Sequence, residues 1–105
     1  MIRRRHTVLP NRDEILKVLY QYKTVLTERY GLTSIGVFGS VARNEAREES
    51  DIDVVIQMQQ PDLFYTVHIK EFLEEILHRP VDVVHYRAAM NRVLRKRIDR
   101  DAIYI

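Results

Sequence analysis

The chain contains no cysteine, so neither a disulfide framework nor a thiolate metal centre contributes to its fold or chemistry. Any metal must be held by oxygen or imidazole ligands, which favours magnesium or manganese. No apolar run approaches the ~20 residues of a membrane span. The basic opening Arg3-Arg4-Arg5 is not followed by the apolar segment of a secretory leader. A cytoplasmic protein with no membrane partner is the expectation. The histidines, His6, His68, His78 and His85, lack the paired spacing of an imidazole metal site and read as structural or surface residues. Charge of one sign is also lacking: 17 basic residues against 15 acidic ones leave a net charge of +2, too balanced to decide a partner. Arg92, Arg95, Lys96, Arg97 and Arg100 crowd one segment near the end, and read as a solvated helix face. No arginine–aromatic alternation or DNA-binding motif accompanies them, so direct nucleic-acid binding is not expected.

What is present suits one small domain. At 105 residues and 46% apolar, the chain can bury a single core but not two. We take 1–105 as one domain, with 1–10 as a basic N-terminal tail. Over residues 12–30, Ile15, Val18, Leu19, Tyr22, Val25 and Leu26 form one helical stripe. Asn11 can cap this helix, Asp13 and Glu14 favour its first turn, and Gly31 can end it. Tyr20, Tyr22 and Tyr30 are assigned to packing. Ile35 to Phe38 form a short buried strand, and Val41 to Ala46 a short helix. A strand follows at Asp51 to Ile56. A helix over 63–78 then presents Leu63, Val67, Leu73, Ile76 and Leu77, with Phe64 and Phe72 flanking, and a third strand spans Val81 to Tyr86. Met90, Val93, Leu94 and Ile98 repeat at helical spacing in a last helix, and Ile103-Tyr104-Ile105 is an apolar tail that packs back. The pattern is α/β, a small sheet covered by helices.

One stretch carries chemistry. Gly39-Ser40 closes the first strand, and ten residues after the serine come Asp51 and Asp53. A glycine–serine turn lets a phosphate approach backbone N–H groups, and a helix starting there would point its amides at the phosphate. Asp is depleted from strands, and a carboxylate taken out of water is costly unless paired or metal-bound. Two acids at i and i+2 project to one side of a strand and can share a divalent cation. Asp82 lies in the next apolar run, and if the two strands are neighbours it can face the pair and complete a two-metal site. Each feature has a structural alternative: Gly39-Ser40 as a strand-to-helix turn, Asp51 and Asp53 as a solvated strand start, and Asp82 as an acid paired with an arginine. Arg43 either steadies a phosphate or pairs with Glu45 or Glu49.

The run Gly39-Ser40-Val41-Ala42-Arg43 followed by Ser50-Asp51-Ile52-Asp53 resembles the signature of the polymerase-β-like nucleotidyltransferase superfamily. Short length, the Pro80-Val81-Asp82 strand and the Ala102-Ile103-Tyr104-Ile105 ending are similar to its minimal nucleotidyltransferases, the MNT domains, often the antitoxin halves of HEPN/MNT toxin–antitoxin pairs. The position after Ala-Arg is usually glycine in that family. Here it is Asn44, which tolerates a left-handed turn.

The resemblance implies an α+β fold with a mixed sheet. It implies that Gly39 and Ser40, with Arg43, bind the nucleotide phosphates and that Asp51, Asp53 and Asp82 are catalytic and ligate the metal. Transfer of AMP from ATP to a tyrosine hydroxyl of a HEPN-domain ribonuclease toxin is the implied reaction. Two other readings stay open at this point: an antitoxin that neutralises by binding alone, and a small-molecule nucleotidyltransferase of the aminoglycoside-modifying kind.

Overall fold

The computed structural model describes residues 10–105. All of the basic tail except Pro10 lies outside the described residues. Helix α1 (Arg12–Tyr30) starts where the Asn11 side chain accepts a hydrogen bond from the Glu14 N–H, 2.9 Å, and it ends where Gly31 turns left-handed at φ 69°. Strand β1 (Leu32–Phe38) runs into the single turn α2 (Gly39–Ala42). Strand β2 (Ile52–Met58), helix α3 (Leu63–Leu77), strand β3 (Val81–His85), helix α4 (Arg92–Asp101) and the short strand β4 (Ile103–Tyr104) follow.

The strands form one sheet in the order β3-β2-β1-β4. β1 is antiparallel to β2 and to β4, while β2 and β3 are parallel, so the sheet is mixed as the resemblance implied. Because strand side chains alternate, the sheet has two different faces. One carries Ile35, Val37, Ile52, Val54 and Ile56, buried with Leu19 and Leu26 of α1 and Ile69 and Leu73 of α3. The other carries Phe38 and Val55, packed with Ile98 of α4. The first face is the main core. Among the described residues the second is covered by α4 and by Tyr86 and Met90 of the connection before it, a thinner layer than the two helices on the first.

Several expectations are corrected by this packing. The buried stripe of α3 is Ile69 and Leu73, whereas Leu63 (78% exposed) and Val67 (44%) face water. The helix is rotated by its aromatic contacts with α1: Tyr65 meets Tyr30 at 5.3 Å and Phe72 meets Tyr22 at 5.5 Å, ring centre to ring centre. Those contacts turn Ile69 and Leu73, at i and i+4, to the inner side, with Tyr65 one turn before them at its exposed rim. Val93 and Tyr20 are likewise exposed, since α4 buries Ile98 and α1 buries Ile15, Leu19 and Leu26. The short helix begins at Gly39 and stops at Ala42, not Ala46, because Asn44 takes the left-handed conformation, φ 62°. The apolar tail packs back as expected, but as a strand: Gly36 pairs with Tyr104 and Val37 with Ile103. A side chain at Gly36 would bring its Cβ within 2.5 Å of the Ile103 carbonyl oxygen, so this glycine is what lets β4 dock.

Candidate active site

Register brings the acids together. Phe38 at the end of β1 lies opposite Asp53 in β2, and Asp53 lies beside Asp82 in β3, so the three form one row across the sheet. The row is on the thinly covered face. Asp51 immediately precedes β2, two residues before Asp53, and is exposed, as is Asp82; Asp53 is half-buried. The strand adjacency that the sequence could only make conditional is therefore real.

Gly39 follows Phe38 with φ 74°. A β-carbon there would run into the Asp53 carboxylate oxygen and lie 3.2 Å from its Cγ. The position therefore demands glycine twice, for its left-handed backbone and for the room it leaves the acid. Ser40 is half-buried in the same turn, and among the described residues its hydroxyl has no hydrogen-bond partner.

The electrostatics set Asp53 apart. Burial pushes its carboxyl above the ordinary 3.8, Asp82 and then Asp51 push it further, and Arg97 and Arg43 act against them. Asp53 is thus within Coulombic reach of both Asp82 and Asp51. As they stand they do not converge: among the described residues no group of three acids or histidines is placed to hold a metal ion. Hard carboxylate oxygens on one open face, one of them carrying an unfavourable charge, nevertheless suit a hard divalent cation.

Cations flank the row from two helices. Lys70 of α3 feels Asp82 and Asp51 but is bound to Glu74 at 2.7 Å, and Glu74 also accepts the Val81 N–H at 3.0 Å. Arg43 lies close enough to act on Asp53, yet its guanidinium bonds Asp101 at 2.8 Å and Glu45 at 3.1 Å. The Glu45 pairing was one of the two roles open for it. Asp101 also takes a two-pronged bond from Arg100 at 2.8 and 3.0 Å, and with Arg43 this holds its carboxyl down at about 2. Arg97 reaches over Phe38, 6.0 Å from guanidinium carbon to ring centre. From sequence Arg97 belongs to a solvated basic face; its place directly before the buried Ile98 is the signal that it flanks the inner stripe of α4.

A groove of about 640 Å³ lies elsewhere, between Ile15 and Val18 of α1 and Ile76 and Leu77 of α3. None of the three acids lines it.

A mixed sheet that sets an Asp-x-Asp pair beside a third acid, under a glycine–serine turn, defines a nucleotidyltransferase. The family model of the nucleotidyltransferase domain matches residues 19–105, and the chain belongs to that family. Several relatives within it are named as protein adenylyltransferases. A candidate protein adenylyltransferase of Methanocaldococcus jannaschii is 38% identical over 94 residues, covering 89% of this chain and 96% of that protein. The protein adenylyltransferase MntA of Thermococcus cleftensis is 35% identical over 94 residues, covering 89% and 94%. A solved structure of a candidate minimal nucleotidyltransferase superposes with a TM-score of 0.71 at 34% identity, covering 89% of this chain and 94% of that one. The same fold recurs, at a TM-score of 0.65 and 19% identity over 89% of this chain and 70% of that one, in a complex of tri-AMPylated Shewanella oneidensis HEPN toxin with MNT antitoxin.

Proposed function

We propose that this chain transfers AMP from ATP to a tyrosine hydroxyl of a HEPN-domain ribonuclease toxin and so acts as its antitoxin. The observation that carries the reading is the row Phe38–Asp53–Asp82, with Asp51 beside it and Gly39 shaped around the Asp53 carboxylate. Relatives named as protein adenylyltransferases, covering nearly the whole chain, support the protein acceptor. In the reaction the tyrosine oxygen attacks the α-phosphorus, the bond from that phosphorus to the bridging oxygen breaks, and pyrophosphate leaves.

Each residue has a part. A divalent cation held by Asp51, Asp53 and Asp82, magnesium or manganese by the hardness of the oxygens, would stabilise charge on the phosphates and favour the ionised acceptor. Gly39 keeps a side chain out of the space beside Asp53, so that a phosphate can come close to the backbone. Ser40 offers its uncommitted hydroxyl to the outgoing phosphates. Asp82, exposed on the edge strand, orients the acceptor hydroxyl and takes up its proton. The product carries a phosphodiester whose negative charge and bulk would obstruct an RNA-binding site.

The test is to separate modification from binding. A cognate HEPN-domain toxin is incubated with ATP and either the wild-type chain or Asp51→Asn/Asp53→Asn, then freed of the chain and assayed for RNA cleavage. Toxin that stays inactive after wild-type treatment and recovers after treatment with the variant supports transfer. Full recovery in both cases would show neutralisation by contact alone.

A further inference from the structure

We propose that Arg97 binds the nucleotide: carried by α4 above the ring of Phe38, the cross-strand neighbour of Asp53, its guanidinium receives the anionic phosphates of the incoming nucleoside triphosphate. The inference rests on the nucleotidyl-transfer reading of the acid row. Three carboxylates and a polyphosphate repel one another, so the site needs positive charge from the protein aimed at the phosphates.

The structure restricts where that charge comes from. Arg43 is tied to Asp101 and Glu45, and Lys70 to Glu74. Arg97 is exposed, and among the described residues it makes no pair with a carboxylate; its recorded contact is the Phe38 ring at 6.0 Å. An arginine resting on an aromatic face keeps its N–H fork free for an anion. Its position is also fixed. Ile98, the next residue, is fully buried against Phe38 and Val55, which pins this turn of α4 to the sheet. Phe38 is the cross-strand neighbour of Asp53 and immediately precedes Gly39, so Arg97 stands where the glycine–serine turn and the acid row meet. Its field reaches Asp53, which it stabilises in the charged form. A planar fork of donors suits bidentate phosphate binding better than a lysine does.

The experiment is calorimetric titration of the full chain, in magnesium, with the non-hydrolysable probe AMP-PNP and separately with adenosine. Wild type is compared with Arg97→Ala, Arg97→Lys and, as a control for lost charge on the same helix, the exposed Arg92→Ala. Loss of a charge-assisted phosphate contact predicts AMP-PNP binding about tenfold weaker or more in Arg97→Ala, with partial rescue in Arg97→Lys. Adenosine, which lacks phosphates, keeps its affinity, and Arg92→Ala stays within about twofold of wild type. AMP-PNP affinity unchanged in Arg97→Ala, with wild type binding normally, would overturn the assignment of Arg97 alone. Equal weakening of adenosine and AMP-PNP would also overturn it, since a purely structural role predicts that. Wild type that binds no AMP-PNP would instead overturn the nucleotidyl-transfer reading beneath it.

Discussion

Gly39→Ala and Gly31→Ala impose the same backbone strain at two places, only one of which touches the site. Gly39 has φ 74° and Gly31 φ 69°, both in the left-handed region. Forcing an alanine into that region costs about 1–2 kcal/mol. Around Gly31 a β-carbon meets nothing within 4 Å, so strain is the whole effect there. In a domain of about 100 residues each kcal/mol lowers Tm by about 4–8 °C, so Gly31→Ala melts roughly 5–15 °C lower and keeps its activity. At Gly39 the new β-carbon collides with the Asp53 carboxylate oxygen and approaches Cγ to 3.2 Å and Cβ to 3.4 Å. Asp53 sits in a central strand and its backbone cannot yield, so the carboxylate must rotate away, adding about 0.5–1.5 kcal/mol for an off-rotamer side chain. Displacing a reacting group by about 1 Å can cost on the order of 100-fold in rate. Thermal melts and the rate of AMP transfer on both variants read the two effects separately. Gly39→Ala that transfers AMP at the wild-type rate, or Gly31→Ala that loses activity equally, would refute the reasoning.

Other consequences follow from the same packing and charges. Ile98 is the one buried residue among those described in α4, and Ile98→Ala should cost about 2–5 kcal/mol in urea unfolding; a loss below about 1 kcal/mol would show that α4 is held by other contacts. Asp53 is pushed up from 3.8, so the fold holds its proton more tightly than the unfolded chain does, and stability falls as pH rises through the raised value. That penalty grows as pH rises above the ordinary 3.8. Asp53→Asn should therefore melt higher than wild type in EDTA at pH 7 while losing transfer, and a lower melting temperature would contradict the repulsion with Asp82 and Asp51. Asp101 is shifted the other way, to about 2, so the stability it contributes is whole above the ordinary 3.8 and is lost as pH falls through about 2. The gap in Tm between wild type and Asp101→Asn should narrow over that acidic window; a constant gap would mean that Arg100 and Arg43 contribute nothing through its charge.

Much of this molecule was legible because local chemistry and global fold agree. Asn11 and Gly31 bound α1 at the residues their cap chemistry indicates, and Asn44 takes the left-handed turn that its short polar side chain tolerates. The acids stood out because aspartate is out of place in apolar strands. What sequence missed depended on contacts between distant elements. The face of α3 is chosen by Tyr30 and Tyr22, and periodicity within α3 alone could not separate Leu63 and Val67 from Ile69. Residues 103–104 are too few to show a strand period, and their pairing relies on the absent side chain of Gly36. Arg97 was hidden among basic residues until Phe38 and Ile98 were seen to place it at the acid row. Arg43, conspicuous in the motif, is engaged by Asp101 from the far end of the chain.

The most direct test of the central claim is the intact mass of a cognate HEPN-domain toxin after incubation with the chain, magnesium and ATP, beside an Asp51→Ala/Asp53→Ala control. A gain of one or more AMP units on a tyrosine of the toxin, absent in the control, is expected. An unchanged mass despite formation of a stable complex would contradict it.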